Sequence, residues 1–245
     1  MTKSLHIRRL RRPVTSEIID LLERPVYGMA QVDRLLGLPG GTARRWIDGY
    51  RRGERVYPPV VRLEATGEEI VTWGEFVETR LLSEYRDAGV PMVRMRPAIV
   101  RLRELFNTRY PLAHARPFAA GRELVLEVQD DVGLDRHLLL VIVRNDQVVL
   151  TDPARRFYQS AEFGNETDVL ERLRPVSEIK EVVIDPLRQF GEPVVRSVRT
   201  EIIAEQYRAG ETIDSISSLF DLERPLVEAA LRYELIRSQP EEAAA

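Results

Sequence analysis

The stretch VYGMAQVDRLLGLPGGTARRWIDGYRRG, residues 26–53, decides how the amino-terminal part folds. Met29, Val32 and Leu36 recur at i, i+3 and i+7, so they share one face of a helix. Gly37-Leu38-Pro39-Gly40-Gly41 cannot prolong that helix, because glycine costs backbone entropy and proline has no N–H to donate. Ala43, Trp46, Ile47 and Tyr50 then recur at i, i+3, i+4 and i+7. That spacing predicts a second helix with this face inward and Thr42, Arg44, Arg45 and Asp48 outward. Two short helices around a tight turn, the second bearing exposed donors, are the geometry of a helix-turn-helix. The second helix fits a DNA major groove, where arginines reach guanine edges or phosphates.

The flanks extend this picture. Thr15 or Ser16 can cap a short helix carrying Ile18, Ile19 and Leu22. After Tyr50, RRGERVYPPVVRLEATGEEIVTW reads as a wing, with strands expected at 60–63 and 70–72 and a turn at Ala65-Thr66-Gly67-Glu68. Arg51, Arg52 and Arg55 stand at its entrance, near the DNA backbone. The expected DNA-contacting set is therefore Thr42, Arg44, Arg45, Arg51, Arg52 and Arg55, with the Thr42 hydroxyl placed to meet a phosphate. Trp46 shares the apolar face and belongs to the core. Arg8, Arg9, Arg11 and Arg12 form a basic arm that either lies in a minor groove or stays unstructured.

Charge is unevenly spread along the 245 residues, whose formal net charge is only -3. Through Arg62 there are thirteen basic residues against six acidic ones, a net of +7. From Thr200 onward four arginines face ten acids, a net of -6. A basic end attracts phosphate and an acidic end repels it, so the two ends should have different partners. Lysine occurs only at Lys3 and Lys180. The arginine bias suits bidentate recognition, and a GC-rich genome also produces it. Cysteine is absent, which excludes disulfides and thiolate-bound zinc. No apolar run is long enough to span a bilayer and no secretory core opens the chain, so a cytoplasmic protein is expected.

Further along, 74–88 reads as a helix with Phe76, Val77, Leu81 and Tyr85 inward, ended by Gly89. Met92, Met95, Ile99, Leu102 and Phe106 form a two-repeat heptad seam, with Pro97 in a first turn. The seam either packs inside one subunit, the simpler outcome for so short a run, or zips a dimer on a palindromic operator. Leu124, Leu126 and Val128 alternate as in a strand, and 137–143 is an apolar run that Asn145-Asp146 can turn into 148–150. Residues 168–173 read as one or two helical turns stopped by Pro175. From Thr200, Ile202, Ile203 and Tyr207 form one helical face ended by Gly210. Thr212 caps the next helix, with Ile213, Ile216, Leu219 and Phe220 inward. Pro225 opens a last helix with Leu226, Ala229, Ala230 and Tyr233 inward. This is a second helix-turn-helix pattern, but with Glu223, Glu228, Arg232 and Glu234 outward.

The segment VVIDPLRQFGEPVVRSVRTEIIAEQYRAGETIDSISSLFDLERPLVEAALRYE resembles the small antitoxin domain, long labelled only as of unknown function, of bacterial type II toxin–antitoxin modules. The matching elements are Ile184-Asp185-Pro186, Gly191-Glu192-Pro193-Val194-Val195, Ala209-Gly210-Glu211, the helix 213–220 and the end at 229–233. The amino-terminal half resembles the winged helix-turn-helix head of longer VapB-type antitoxins, through Tyr27, the helix 32–36, Trp46 and Gly49-Tyr50. The resemblance implies a protein that binds and blocks a magnesium-dependent PIN-domain ribonuclease toxin and represses its own operon. In small antitoxins an arginine of the tail often reaches the metal site. Here only Arg237 follows Tyr233 before the chain turns acidic.

Catalytic constellations are missing. His6, His114 and His137 are dispersed with no metal-ligand spacing, and Asp130, Asp131 and Asp135 lack the calcium-loop pattern. Ser215, Ser217 and Ser218 have no histidine motif nearby, and Gly40-Gly41 lies between helices rather than after a strand. No enzymatic activity, metal or cofactor is expected. The expected fold is α+β: a winged helix-turn-helix domain at 1–116, a small β-rich connecting region at 117–180, a helical helix-turn-helix-like domain at 181–239 and a disordered tail at 240–245. The expected function is a homodimeric antitoxin that binds operator DNA and a PIN-domain toxin. The alternative is a stand-alone regulator whose central region senses a ligand.

Overall fold

Tyr27, Val32, Val71 and Trp73 are all buried, and they tie the ends of the amino-terminal head together. A computed structural model describes residues 21–86, 95–118, 122–133, 139–144 and 147–242. The expectations for the basic arm, for Thr15, Ser16, Gly89 and Met92, for His6 and His137, for Asp135 and for the turn at Asn145-Asp146 lie outside these residues. The head runs β1 (Pro25–Gly28), α1 (Met29–Leu35), α2 (Thr42–Ile47), β2 (Tyr50–Arg52), β3 (Arg55–Tyr57), β4 (Ile70–Thr72) and α3 (Trp73–Arg86). β1 pairs antiparallel with β4, Tyr27 opposite Val71 and Gly28 opposite Ile70. The helix-turn-helix therefore hangs between two strands that start and close it.

The wing lies elsewhere than expected. β2 and β3 form the hairpin, with Tyr50 opposite Tyr57 and Arg52 opposite Arg55. Gly53 leads its two-residue turn at φ +60, a conformation glycine adopts without steric cost. Residues 60–63 are not a strand. The N–H groups of Val60 and Val61 donate to Trp46 O at 2.8 and 3.0 Å, and that of Arg62 donates to Ile47 O at 3.2 Å. Those donors satisfy carbonyls at the end of α2 that no helical turn follows, so none is left for a ladder. Ile70–Thr72 is a strand as expected, but its partner is β1.

The middle of the chain continues with α4 (Arg96–Phe106), a 3-10 turn Pro111–Ala113, α5 (Arg122–Asp131), β5 (Val141–Arg144), β6 (Gln147–Leu150), α6 (Asp152–Ser160), β7 (Ala161–Phe163) and β8 (Leu170–Leu173). The expected strand through Leu124–Val128 is the helix α5. Val125, Val128 and Gln129 are buried at i, i+3 and i+4, a period that overrides the i, i+2 pattern of the leucines. The hairpin β5–β6 is the antiparallel pair expected there. The expected helical turns at 168–173 are instead β8, which pairs with β7 through Ala161–Leu173 and Glu162–Arg172. Asp168 sits at φ +60, which no helix continues, and Leu170 and Leu173 both face the core.

Head and middle share one apolar core. Trp73, Phe76, Leu81 and Leu82 of α3 lie at its centre and it extends to Phe118, Phe157 and Ile184. Met95, Ile99 and Leu102 are spent inside this core, each 1% exposed, so that part of the heptad seam packs within the chain. The Trp73 indole N–H donates to Leu170 O at 2.8 Å and fastens α3 to β8.

The last unit comprises β9 (Val182–Val183), β10 (Val194–Val195), β11 (Val198–Arg199), α7 (Thr200–Arg208), α8 (Ile213–Phe220) and α9 (Arg224–Glu242). The three strands form an antiparallel sheet in the order β11-β10-β9. Its separate core holds Val182, Val195, Ile203, Ile216, Val227 and Tyr233. Thr212 caps α8 as expected, accepting from Ser215 N at 3.1 Å. Leu219, expected inward, is 63% exposed, and Tyr207, expected on one face with Ile202 and Ile203, is 51% exposed. α9 runs on to Glu242, through residues 240–242 that were expected in the tail. Helices with small antiparallel sheets make the protein α+β, headed by a helix-turn-helix.

Candidate nucleic-acid interface

The amino-terminus of α2 is organised from α1. The buried Asp33 carboxylate accepts from Gly41 N and Ala43 N, both at 2.7 Å. Gly41 takes φ +76 to bring its N–H there. A carboxylate thus occupies the donors that a phosphate would need. Thr42 is only 6% exposed, and its hydroxyl accepts from Arg45 Nη2 at 2.8 Å. The expectation that Thr42 points outward to a phosphate is therefore corrected: its place beside Asp33 turns it into the fold. Asp48, also expected outward, is 8% exposed. Arg45 is exposed, and the half-buried Arg44 forms an ion pair with Glu69.

The arginine-rich hairpin follows directly. Gly49, at φ +76, lets the chain leave α2; a Cβ there would lie 2.6 Å from Tyr57 O. Tyr50 and Tyr57 stack with centroids 4.5 Å apart and planes 2° from parallel. The Arg55 guanidinium lies 5.0 Å above the Tyr57 ring. Arg51, Arg52 and Arg55 are all exposed, and none forms an ion pair with a carboxylate among the described residues. Three cations on a stiff ribbon beside α2 make an electropositive surface. The sequence pattern sets them at the entrance of a wing built on 60–63 and 70–72, whereas the structure puts them on the hairpin β2–β3 itself. The alternation of Tyr50 and Arg52 with Arg55 and Tyr57 around Gly53-Glu54 was the available signal.

Below the hairpin, Arg62 is a buried hub. Its guanidinium meets Asp48 at 2.9 Å and Glu75 at 2.8 Å and also donates to Thr66 Oγ1, Glu68 O and Ile70 O. Burial pushes the Asp48 carboxyl up, but donors from Thr66, Arg62 and Gly67 outweigh it and hold the group below the usual carboxylate range. Burial lowers Arg62 too, and Glu75 and Asp48 more than restore it. Arg62 is thus structural and is not presented to a nucleic acid.

Deeper still, Glu78 is fully buried between Arg103 Nη2 at 3.2 Å and Leu112 N at 3.2 Å. Desolvation raises its pKa to about 7, against the lowering effect of Arg103. The last unit is clasped to the head through β1 and α1. The Tyr27 hydroxyl donates to Gly191 O at 2.7 Å, and Glu192 accepts from Gln31 and Arg34 at 2.6 Å each. Burial, then Glu192, holds the Tyr27 hydroxyl well above its ordinary pKa, so it stays a donor.

Among the described residues no group of three or more His, Cys, Asp or Glu side chains could hold a metal ion, and no helix is long and apolar enough to cross a membrane.

Comparison with known proteins places the chain in a family. Residues 25–99 match the family described as "Putative DNA-binding HTH domain", and residues 182–233 match "Protein of unknown function (DUF433)". The chain is 41% identical over 223 residues to the "Uncharacterized protein Rv2308" of Mycobacterium tuberculosis, covering 88% of this chain and 92% of that protein. It is 26% identical over 213 residues to "Putative antitoxin VapB45" of the same organism, covering 79% and 87%. The crystal structure of Rv2018 from Mycobacterium tuberculosis superposes with a TM-score of 0.67 at 25% identity, over 84% of this chain and 97% of that one.

Proposed function

We propose that this chain, which belongs to the family of the Mycobacterium tuberculosis protein Rv2308, is an antitoxin that represses its own operon and neutralises a cognate PIN-domain ribonuclease. The observation that carries the DNA-binding half is the hairpin β2–β3, whose Arg51, Arg52 and Arg55 are exposed and uncompensated beside a helix-turn-helix. Arg45 and Arg44 add donors from α2. The match of residues 25–99 to the family described as "Putative DNA-binding HTH domain" supports DNA binding by the head. The antitoxin half is supported by the similarity to a protein named as an antitoxin and by the match at residues 182–233.

In this scheme the head reads operator DNA as part of a homodimer, in the cytoplasm, and the carboxy-terminal unit holds the toxin. The chain itself performs no catalysis. Its acidic last unit would be repelled by phosphate, which suits a protein partner better than a second duplex. Selection of duplexes from a random pool by the full-length protein should yield one enriched sequence with two half-sites about ten base pairs apart. Co-expression with a PIN-type nuclease encoded beside the gene should abolish its RNA cleavage. A protein that holds all duplexes alike, or leaves that nuclease active, overturns the corresponding half.

One observation favours a second reading, a stand-alone regulator that senses a ligand. A cleft of about 190 Å³ lies between α1, α3 and β8, floored by Leu36, Phe76 and Ile184 and edged by Arg80, Ser83 and Glu84. Repression that persists without any neighbouring toxin and changes with a small metabolite would favour it.

A further inference from the structure

We infer that Glu69 is a positioning residue that holds Arg44 ready to read a guanine in the major groove. The inference rests on the DNA-binding reading above. Arg44 projects from the middle of α2 with its side chain 43% exposed, and its guanidinium meets the Glu69 carboxylate, 65% exposed. An ion pair between two loose surface side chains carries little energy. Here the acceptor stands on a fixed support. Three successive carbonyls around it are engaged: Glu68 O by Arg62 Nη1 at 3.1 Å, Glu69 O by Met29 N at 3.1 Å and Ile70 O by Arg62 Nη2 at 2.7 Å. Arg62 is itself locked between Asp48 and Glu75 inside the head. The buried hub thus fixes the backbone that delivers Glu69 to the face of α2.

The chemistry selects a base rather than a phosphate as the target of Arg44. A carboxylate beside a phosphate-binding arginine would repel the phosphate. Anchored at Nη2, the planar guanidinium keeps Nη1 and Nε free as donors, in a plane that can meet guanine O6 and N7 together. Restricting the side chain before DNA arrives removes part of the entropy cost of that contact. By contrast Arg51, Arg52 and Arg55 carry no such carboxylate among the described residues, as suits cations that meet the backbone.

The test uses the full-length protein, the duplex it enriches from a random pool, and a scrambled duplex of equal length and composition, at two salt concentrations. Glu69→Ala should bind the scrambled duplex as tightly as the parent or up to about threefold tighter, since a negative charge has left. Its preference for the enriched duplex should fall about tenfold. Glu69→Gln keeps an acceptor oxygen without the charge and should recover most of the preference. Arg44→Ala should lose the preference to the same extent, and adding Glu69→Ala to it should change nothing more. Thermal melting of every Glu69 variant should match the parent, because the side chain is exposed. An unchanged preference in Glu69→Ala, or an equal gain on both duplexes, overturns the inference. Failure of the parent protein to enrich any duplex instead overturns the DNA-binding reading, and needs no Glu69 variant to be seen.

Discussion

The head and the carboxy-terminal unit are built from similar local parts and present opposite surfaces. Both place a short helix after a tight turn, capped at its start by an oxygen: Asp33 for α2, Thr212 for α8. Around α2 stand Arg44, Arg45 and a hairpin with three uncompensated arginines. Around α8 the exposed groups are Glu211, Asp214, Asp221 and Glu223, with Arg224 already tied to Asp214 at 2.6 Å and Glu228 at 3.0 Å. Helix-turn-helix geometry alone therefore assigns no partner. The sign of the charge beside the second helix, and whether that charge is free, separates the two units.

The comparison breaks most directly at the hairpin. Arg51→Ala, Arg52→Ala and Arg55→Ala combined should weaken binding to the enriched duplex about a thousandfold, ~4 kcal/mol, and flatten the salt slope by two to three, roughly 0.9 per lost phosphate contact. Fluorescence anisotropy at two or more salt concentrations measures both. Retained affinity would move the interface off β2–β3.

The joint between the two units comes next. Gly191 has φ +73, and a Cβ there would lie 2.3 Å from the Tyr27 hydroxyl. Gly191→Ala should destabilise the protein by ~3 kcal/mol, through backbone strain and loss of a buried hydrogen bond. In a urea melt the carboxy-terminal core should then unfold apart from the head. A single transition at the parental midpoint would show that the clasp is idle.

A smaller effect belongs to Glu78 in the core of the head. Its folded pKa of about 7 stands above the ordinary 4.5, so folding favours the protonated form. Its stabilising contribution is complete below the unfolded pKa and is lost as pH rises through the folded one. Stability of the parent minus that of Glu78→Gln should therefore fall by about 1–2 kcal/mol between these pH values, read from urea midpoints. A difference independent of pH would mean that Glu78 stays ionised in its pocket.

The smallest effect sharpens the contrast from the acidic side. Glu201 and Glu205 are exposed on α7. Glu201→Gln with Glu205→Gln should alter affinity for DNA less than threefold, ~0.6 kcal/mol. A large gain would place this face beside the duplex.

How much of this was legible in the sequence depends on how local the deciding signal is. Apolar periodicity at Met29 and Val32, at Phe76, Val77, Leu81 and Tyr85, and at Ile216 after the cap Thr212 identifies the helices that these side chains bury. The α+β class and the helix-turn-helix follow from them. In α5 two periods coexist, since Leu124 and Leu126 suggest a strand while Val125 and Val128 demand a helix, and only the packed core decides. The β7–β8 pairing joins residues whose contact depends on the left-handed turn at Asp168, which no run of apolar residues announces.

Within the site, Arg44, Arg45, Arg51, Arg52 and Arg55 are legible as charge on a polar face. The burial of Thr42 is not, because it follows from Asp33 reaching across from α1. Arg62 looks like one more basic residue of the head, and only three-dimensional contact with Asp48 and Glu75 takes it out of the DNA-facing set.

The indole of Trp73 binds a carbonyl 97 residues further along the chain. A gene fusion that transplanted only the reading head into another protein would leave this nitrogen, and the greasy wall around it, without a counterpart. The recipient would have to invent a new lining or aggregate. Head and middle therefore stand or fall as one block, and the carboxy-terminal unit, with a core of its own, is fastened to them at Tyr27 and Glu192.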